Sequence, residues 1–264
     1  MGTVSPLLDV DKVTLTFGGI AALSEVSWNL EEGSVTSLIG PNGAGKTSML
    51  NCISGRYHPQ EGGIRLDGKD LLGLKAHART RLGLSRTFQN IALFRGLSVL
   101  DNMMVGRHSR IKYGLLAALC YLGRARKHED EHRRRVEDVI DFLGLSPYRH
   151  QHAGHLPYGV QKRVELGRAL AAEPRLILLD EPMAGMNLEE TEDMARYILD
   201  INEEWGTTVL LVEHDMGVVM DISDHVVVLD FGRVLATGSP EEVQKNPDVV
   251  AAYLGTEDAT FCGR

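Results

Sequence analysis

Gly40-Pro-Asn-Gly-Ala-Gly-Lys-Thr47 fills every fixed position of the G-x-x-x-x-G-K-[ST] pattern, and no other stretch of the chain restricts the fold so much. The pattern requires a strand before it and a helix after it. Ser34-Val-Thr-Ser-Leu-Ile39 supplies the strand, and Thr47 to Ile53, closed by Gly55, supplies the helix. Glycines let backbone N–H groups converge on phosphate oxygens, the helix N-terminus adds partial positive charge, and Lys46 adds a mobile cation. Gly40, Pro41, Asn42, Gly43, Ala44, Gly45, Lys46, Thr47 and Ser48 are therefore candidate phosphate contacts, with the Thr47 hydroxyl placed for Mg²⁺. An incidental glycine-rich turn would not need this context, and the glycine order is not the G-x-G-x-x-G of dinucleotide folds.

A second segment, Leu176-Ile-Leu-Leu-Asp180-Glu181, is an apolar run ending in two carboxylates. The C-terminal ends of parallel strands border the ligand crevice, so both acids arrive at the phosphate loop. Asp180 would reach Mg²⁺ and Glu181 would polarise an attacking water as general base. By itself the hexamer reads equally well as an N-cap followed by a first-turn acid; the loop upstream favours the catalytic reading. The separation of Lys46 from Asp180 far exceeds the roughly 30 residues of one βαβ unit, so a whole lobe is inserted between them.

Periodicity predicts antiparallel strands at Leu7 to Phe17 and Val26 to Leu30, then strands at Leu176 to Leu179, Thr208 to Val212 and Val226 to Leu229. Helical spacing fills the gaps, with Glu189 to Trp205 the longest of these. Phe231-Gly232 reads as a tight turn into Arg233 to Ala236, and Ser239-Pro-Glu-Glu242 as a capped helix start. From about 79 to 160 strands become scarce and helices are expected at Val99 to Arg107, Leu115 to Leu122 and Arg124 to Leu143. The fold class is α/β: a mixed sheet lobe with an N-terminal antiparallel β subdomain and an inserted helical subdomain, all within one domain over 1–264.

Composition excludes several alternatives. With 43% hydrophobic and 24% charged residues, the chain has the balance of a folded globular protein. The longest uncharged apolar run, Tyr113 to Leu122, falls short of the roughly 20 residues a spanning helix needs. The opening MGTVSPLLDV predicts no secretory signal. Cys52, Cys120 and Cys262 never form a CxxC, which fits a reducing compartment and no zinc site. A net charge of −8 lowers the expectation of nucleic-acid binding, which needs a cationic face.

Three further segments complete a family resemblance. Arg86-Thr-Phe-Gln89 looks like a Q-loop, Leu156-Pro-Tyr-Gly159-Val-Gln-Lys-Arg163 occupies the place of a signature motif, and Val212-Glu-His214-Asp resembles a switch-histidine segment. With the two motifs above, in this order, nearly the whole chain resembles the ATP-binding subunits of ABC transporters, P-loop NTPases. The resemblance implies ATP and Mg²⁺ as ligands, with Thr47, Gln89 and Asp180 at the metal. Glu181, His214 and Gln89 would be the catalytic groups, and Phe17 would stack on adenine. As a lone strand residue, Phe17 would more ordinarily belong to a core. It also implies a head-to-tail pair of cassettes, the second being this chain or a paralogue, with Tyr158 and Gly159 of one facing the nucleotide of the other. Separate transmembrane permease subunits, an extracytoplasmic solute-binding protein acting indirectly, and a peripheral place on the cytoplasmic face of the membrane would follow.

The chain departs from the family pattern at three places. Leu-Pro-Tyr-Gly-Val replaces the usual L-S-G-G-Q, so Pro157 lacks a serine hydroxyl and Val160 a glutamine amide; Asn187 stands where Asp is common. The backbone at Gly159 and the helix N-terminus remain as donors, which implies a weakened rather than abolished trans contact. Asp101 to His108, the Tyr-Gly signature, Ala184-Gly-Met-Asn187, Glu213 to Met216 and Asn246 to Gly255 resemble the subgroup importing branched-chain amino acids and related compounds such as amides or urea. The rival readings are a soluble ABC ATPase acting on ribosomes or DNA, and a nonhydrolytic regulator, which would lack a base at Glu181. His128-Glu-Asp-Glu-His132 matches H-E-x-x-H, but acidic neighbours, the arginines that follow and the lack of a third ligand favour a solvated helix; His150, His152 and His155 read as surface or loop.

Overall fold

The computed structural model describes residues 5–87, 91–110 and 124–254. Alternating apolar residues build the hairpin of β1 (Leu8–Phe17) and β2 (Ile20–Leu30), which buries Val10, Val13 and Leu15 against Leu23, Val26 and Leu30. Next come β3 (Val35–Ile39), buried throughout, and α1 (Lys46–Ser54), which ends at Gly55 in the left-handed conformation. The strand, loop and helix anticipated around the phosphate motif are thus all present. β4 (Glu61–Leu66) was not legible beforehand. Its Glu-Gly-Gly opening carries no alternation, and it is recruited by pairing with β1, Leu8 facing Leu66 and Val10 facing Ile64. With β5 (Lys69–Asp70) at the edge, the antiparallel sheet has the order β2-β1-β4-β5.

The chain then passes through α2 (Ala76–Arg81), β6 (Leu84–Arg86), α3 (Val99–Arg107), α4 (Arg124–Phe142) and α5 (Tyr158–Leu170). Within 79–160 the named strand among the described residues is β6, an edge strand parallel to β7 (Leu176–Asp180). The expected helix at Leu115 to Leu122 lies outside the described residues. α6 (Leu188–Trp205), β8 (Thr208–Val212), α7 (Met216–Ile222), β9 (His225–Asp230), β10 (Arg233–Gly238), α8 (Pro240–Gln244) and α9 (Pro247–Leu254) follow. Phe231 and Gly232, both at positive φ, form the tight turn of the β9–β10 hairpin. Ser239 and Glu242 exchange both hydrogen bonds of a capping box at the start of α8.

The second sheet has the order β10-β9-β3-β8-β7-β6, parallel except for the β10–β9 pair. Both of its faces are covered, which is why β7 and β8 read as near-continuous apolar runs and why β3 is buried throughout despite Thr36 and Ser37. On β7, Leu176 and Leu178 pack with α1 and the antiparallel sheet, while Ile177 and Leu179 pack with α3, α4, α5 and α6. The stripe Val136, Val139, Ile140 and Leu143 belongs to that second core. α1 also carries Cys52, a buried free thiol whose pKa burial pushes up to about 12. Among the described residues, no helix is long and apolar enough to cross a membrane.

Candidate nucleotide site

The loop from Gly40 to Gly45 is held between β3 and α1 by contacts that only glycine permits at two positions. Gly40 has φ 145°, and a Cβ there would lie 2.0 Å from the Leu229 carbonyl oxygen of β9. Gly45 caps α1 at φ 103°, and its Cβ would lie 2.7 Å from the Ala22 carbonyl oxygen of β2. The Gly232 N–H donates to Ala44 O at 3.0 Å, so the β9–β10 turn supports the loop from behind. Lys46 is buried, with Nζ donating to Gly40 O at 2.5 Å and Pro41 O at 3.0 Å across the loop's own carbonyls. First-turn N–H groups of a helix have no intrahelical acceptor. Those of α1 border a cavity of about 290 Å³ lined by Ala22, residues 42–48, Glu181 and His214.

Glu181 follows the last residue of β7, whose Asp180 pairs with Val212 of β8. Its backbone is left-handed, φ 51°, and its N–H donates to Val212 O at 2.9 Å. This turn aims the carboxylate at the cavity, where Oε1 lies 2.7 Å from His214 Nε2. The sequence placed these two residues together by chain order alone, and the structure brings them into contact over a separation of 33 positions. His214 is the more exposed partner, at 41% against 15% for the Glu181 side chain.

Asp180 stands behind this pair, 2% exposed. Its Oδ2 accepts from Arg86 Nη2 at 2.9 Å, and Arg86 Nη1 reaches Asn51 Oδ1 and Ser54 Oγ on α1, both at 2.8 Å. The other oxygen, Oδ1, is buried with no hydrogen-bond partner. A buried carboxylate oxygen left without a donor suits a hard cation, so the donor set fits Mg²⁺. Thr47, exposed, lines the cavity; Gln89, expected to share the metal, lies outside the described residues. Phe17 ends β1, half-exposed, with its ring edge-on to Tyr57 at 5.1 Å; it packs in no core cluster and does not line the cavity.

Comparison with known proteins places this geometry. A family model described as ABC transporter matches residues 23–184, and one described as branched-chain amino acid ATP-binding cassette transporter matches residues 233–259. The chain belongs to the ABC transporter family. It is 43% identical over 250 residues to the Pseudomonas aeruginosa high-affinity branched-chain amino acid transport ATP-binding protein BraF, covering 95% of this chain and 98% of that one. It is 40% identical over the same length to LivG of Escherichia coli, likewise named a high-affinity branched-chain amino acid transport ATP-binding protein. A crystal structure of an ABC transporter ATP-binding cassette in its ADP conformation superposes with a TM-score of 0.83 at 31% identity, over 96% of this chain and 100% of the other. A dimeric bacterial ABC transporter cassette gives 0.75 at 27% identity, over 88% and 98%.

This ABC cassette is an ATPase subunit, and its ligand is ATP. Its signature segment opens α5. Pro157 occupies the N-cap with extended backbone, φ −54° and ψ 153°, and makes no side-chain cap, so the helix starts at Tyr158. The Tyr158 hydroxyl donates to Ala184 O at 3.1 Å, within the same chain. Asn187 caps α6 reciprocally with Glu190, a role Asn fills as well as Asp. Of the H-E-x-x-H segment, His132 is half-buried and accepts from Arg107 Nε at 2.9 Å. Among the described residues, no group of His, Cys, Asp and Glu of three or more could hold a metal.

Three polar residues lie within the motifs read from the sequence but had been given no role of their own: Arg86 at Asp180, Glu213 beside His214, and Lys162. Glu213 is 5% exposed; it accepts from Met183 N at 2.9 Å and His214 N at 3.2 Å, and burial pushes its carboxyl up. Glu213 at least stood next to a named residue. Lys162 and Arg86 also stood in these motifs, but a cation in sequence ordinarily reads as surface, and nothing there named the buried acceptor each one reaches.

Proposed function

We propose that this chain is the ATP-hydrolysing motor of a membrane importer for branched-chain amino acids or related small compounds, acting on the inner face of the membrane through separate permease subunits. The observation that carries hydrolysis is the Glu181–His214 contact on the wall of the phosphate cavity. The loop amides and Lys46 would bind the β- and γ-phosphates, with Lys46 exchanging its two loop carbonyls for phosphate oxygens. Glu181 would take the proton of the attacking water, and His214 would orient that water and the γ-phosphate. Thr47, Asp180 and Gln89 would hold Mg²⁺, which supplies neutralisation of phosphate charge when bound. Phe17 would stack on the adenine, while Tyr158 and Gly159 would complete the site of a second cassette in a head-to-tail pair.

A groove of about 700 Å³ supports a permease partner. It runs between α1, α2 and β6 on one side and α3 and α5 on the other, with Phe94 and Val105 exposed along it. It borders Arg86, where β6 enters the Q-loop segment, so a partner seated there would sense the nucleotide site; residues of the proposed inserted helical part, 79–160, would line both of its sides. The substrate class rests on the names of the relatives and on the match at residues 233–259.

The test is Glu181→Gln in the chain copurified with its membrane partner. ATP binding is expected to persist and turnover to fall on the order of a hundredfold or more. Retained hydrolysis would place the base elsewhere, and absence of a multispanning partner in membrane extracts would refute the importer.

A further inference from the structure

Glu181 is one of few non-glycine residues at positive φ, and such a conformation persists only where its surroundings over-determine it. One restraint is the bond from its N–H to Val212 O. Another comes from the signature helix. Lys162, one turn into α5 and 3% exposed, donates Nζ to the Glu181 carbonyl oxygen at 3.2 Å. Its ammonium also lies 5.9 Å from the ring centre of Tyr158, whose hydroxyl holds Ala184 O three residues further along the same loop. The first turn of α5 therefore grips two carbonyls of the segment 181–184.

We propose that Lys162 is a positioning residue for Glu181, linking the helix start that would face a neighbouring cassette's nucleotide to the backbone that aims this chain's own base. The proposal rests on Glu181 acting as that base. The Glu181 carbonyl also accepts from Ala184 N–H at 3.3 Å, a contact within its own turn, so the Lys162 ammonium is the donor that ties this turn to α5; a shorter or apolar side chain removes that tie and leaves only the local bond on the oxygen. Movement at the start of α5 would thereby shift the Glu181 carboxylate relative to His214, so events at the neighbour's nucleotide would be felt at this one.

The experiment uses the full-length chain and compares Lys162→Met, which keeps the length and removes the donor, with Lys162→Arg, which restores one. Lys162→Met is expected to lower kcat at least tenfold while KM for ATP stays within about twofold and the thermal midpoint within a few degrees; Lys162→Arg is expected to recover most of kcat. Single-turnover rates on the Glu181→Gln background separate the routes, since Lys162→Met should add less than a twofold loss there. Full kcat in Lys162→Met beside an inactive Glu181→Gln would overturn the positioning role alone. Turnover retained by Glu181→Gln would overturn the base assignment and, with it, the route through Glu181. Should Lys162→Met melt below the assay temperature, Lys162→Leu, which also lacks a donor, is measured against the same expectations.

Discussion

Arg79 is a fully buried arginine with no catalytic reason to be there, 1% exposed on α2. Its guanidinium donates to three carbonyls, Leu74 O at 3.1 Å, Cys52 O at 2.7 Å and Ile53 O at 2.8 Å. The last two belong to the final turn of α1, where carbonyls lack i+4 donors, and of the two Cys52 O is also reached by the Gly55 cap N–H. Gly55 ends that helix without leaving room for anything else, since a Cβ there would lie 2.7 Å from Arg79 Nε. Arg79→Met should therefore leave Ile53 O and Leu74 O without the guanidinium and Cys52 O with the Gly55 N–H alone at 3.2 Å, costing about 2–4 kcal/mol. Urea denaturation would measure this, and because α1 begins at the phosphate loop, ATP affinity should weaken in parallel. The residue-scale lesson is uneven. Gly40, Lys46, Asp180, Glu181 and His214 were legible because short motifs fix them at set offsets. Arg79, Arg86 and Lys162 were not, because what defines each is a partner 19 to 94 positions away.

At the scale of elements, α3 and α5 pack so closely that a glycine is required between them. A Cβ on Gly106 would lie 2.1 Å from the Arg168 carbonyl oxygen, a backbone atom that cannot rotate away. Alanine would gain about 1 kcal/mol of helix propensity. The overlap forces the helices apart, which typically costs about 1–3 kcal/mol, and here the clash is severe enough to win. Gly106→Ala should lower the denaturation midpoint with an unchanged m-value. Gly167→Ala makes the control, because its Cβ would meet the terminal methyl of Met103 at 2.4 Å, a flexible group that can swing aside, and its loss should be smaller. Neither contact was readable from periodicity, which fixes which face of a helix is apolar but not how near its neighbour lies. The same limit hid β4 and β6. β6 is short and β4 opens on Glu-Gly-Gly, and each is made a strand by the partner it pairs with rather than by its own alternation.

At the scale of the whole molecule, two carboxylates among the described residues shift in opposite directions, and each adds its own limb to the dependence of stability on pH. Asp67, in the β4–β5 turn, is held below its ordinary 3.8 by hydrogen bonding to Arg175, which also bonds Glu32 and so joins the two sheets across the surface. A lowered folded value contributes stability above 3.8 that is lost as pH falls through it. Glu213 lies the other way: burial raises it above 4.5, so the folded state takes up the proton more readily than the unfolded chain. Its contribution is complete below 4.5 and is lost as pH rises through the raised value. Arg175→Gln should therefore flatten the acid limb of a stability profile, and Glu213→Gln should flatten the decline above it. Glu213→Gln also turns an amide N–H toward the His214 N–H, a cost of about 1 kcal/mol, but that penalty is uniform in pH and leaves the slope as the readout. Salt separates the two causes. The Arg175 cluster is exposed and screened, so its limb should shrink at 1 M salt, whereas desolvation of Glu213 is not screened and its limb should persist. Denaturation midpoints measured across pH at low and high salt would check this, and a Glu213 limb that vanished with salt would show that its neighbours' charge, rather than burial, sets its protonation.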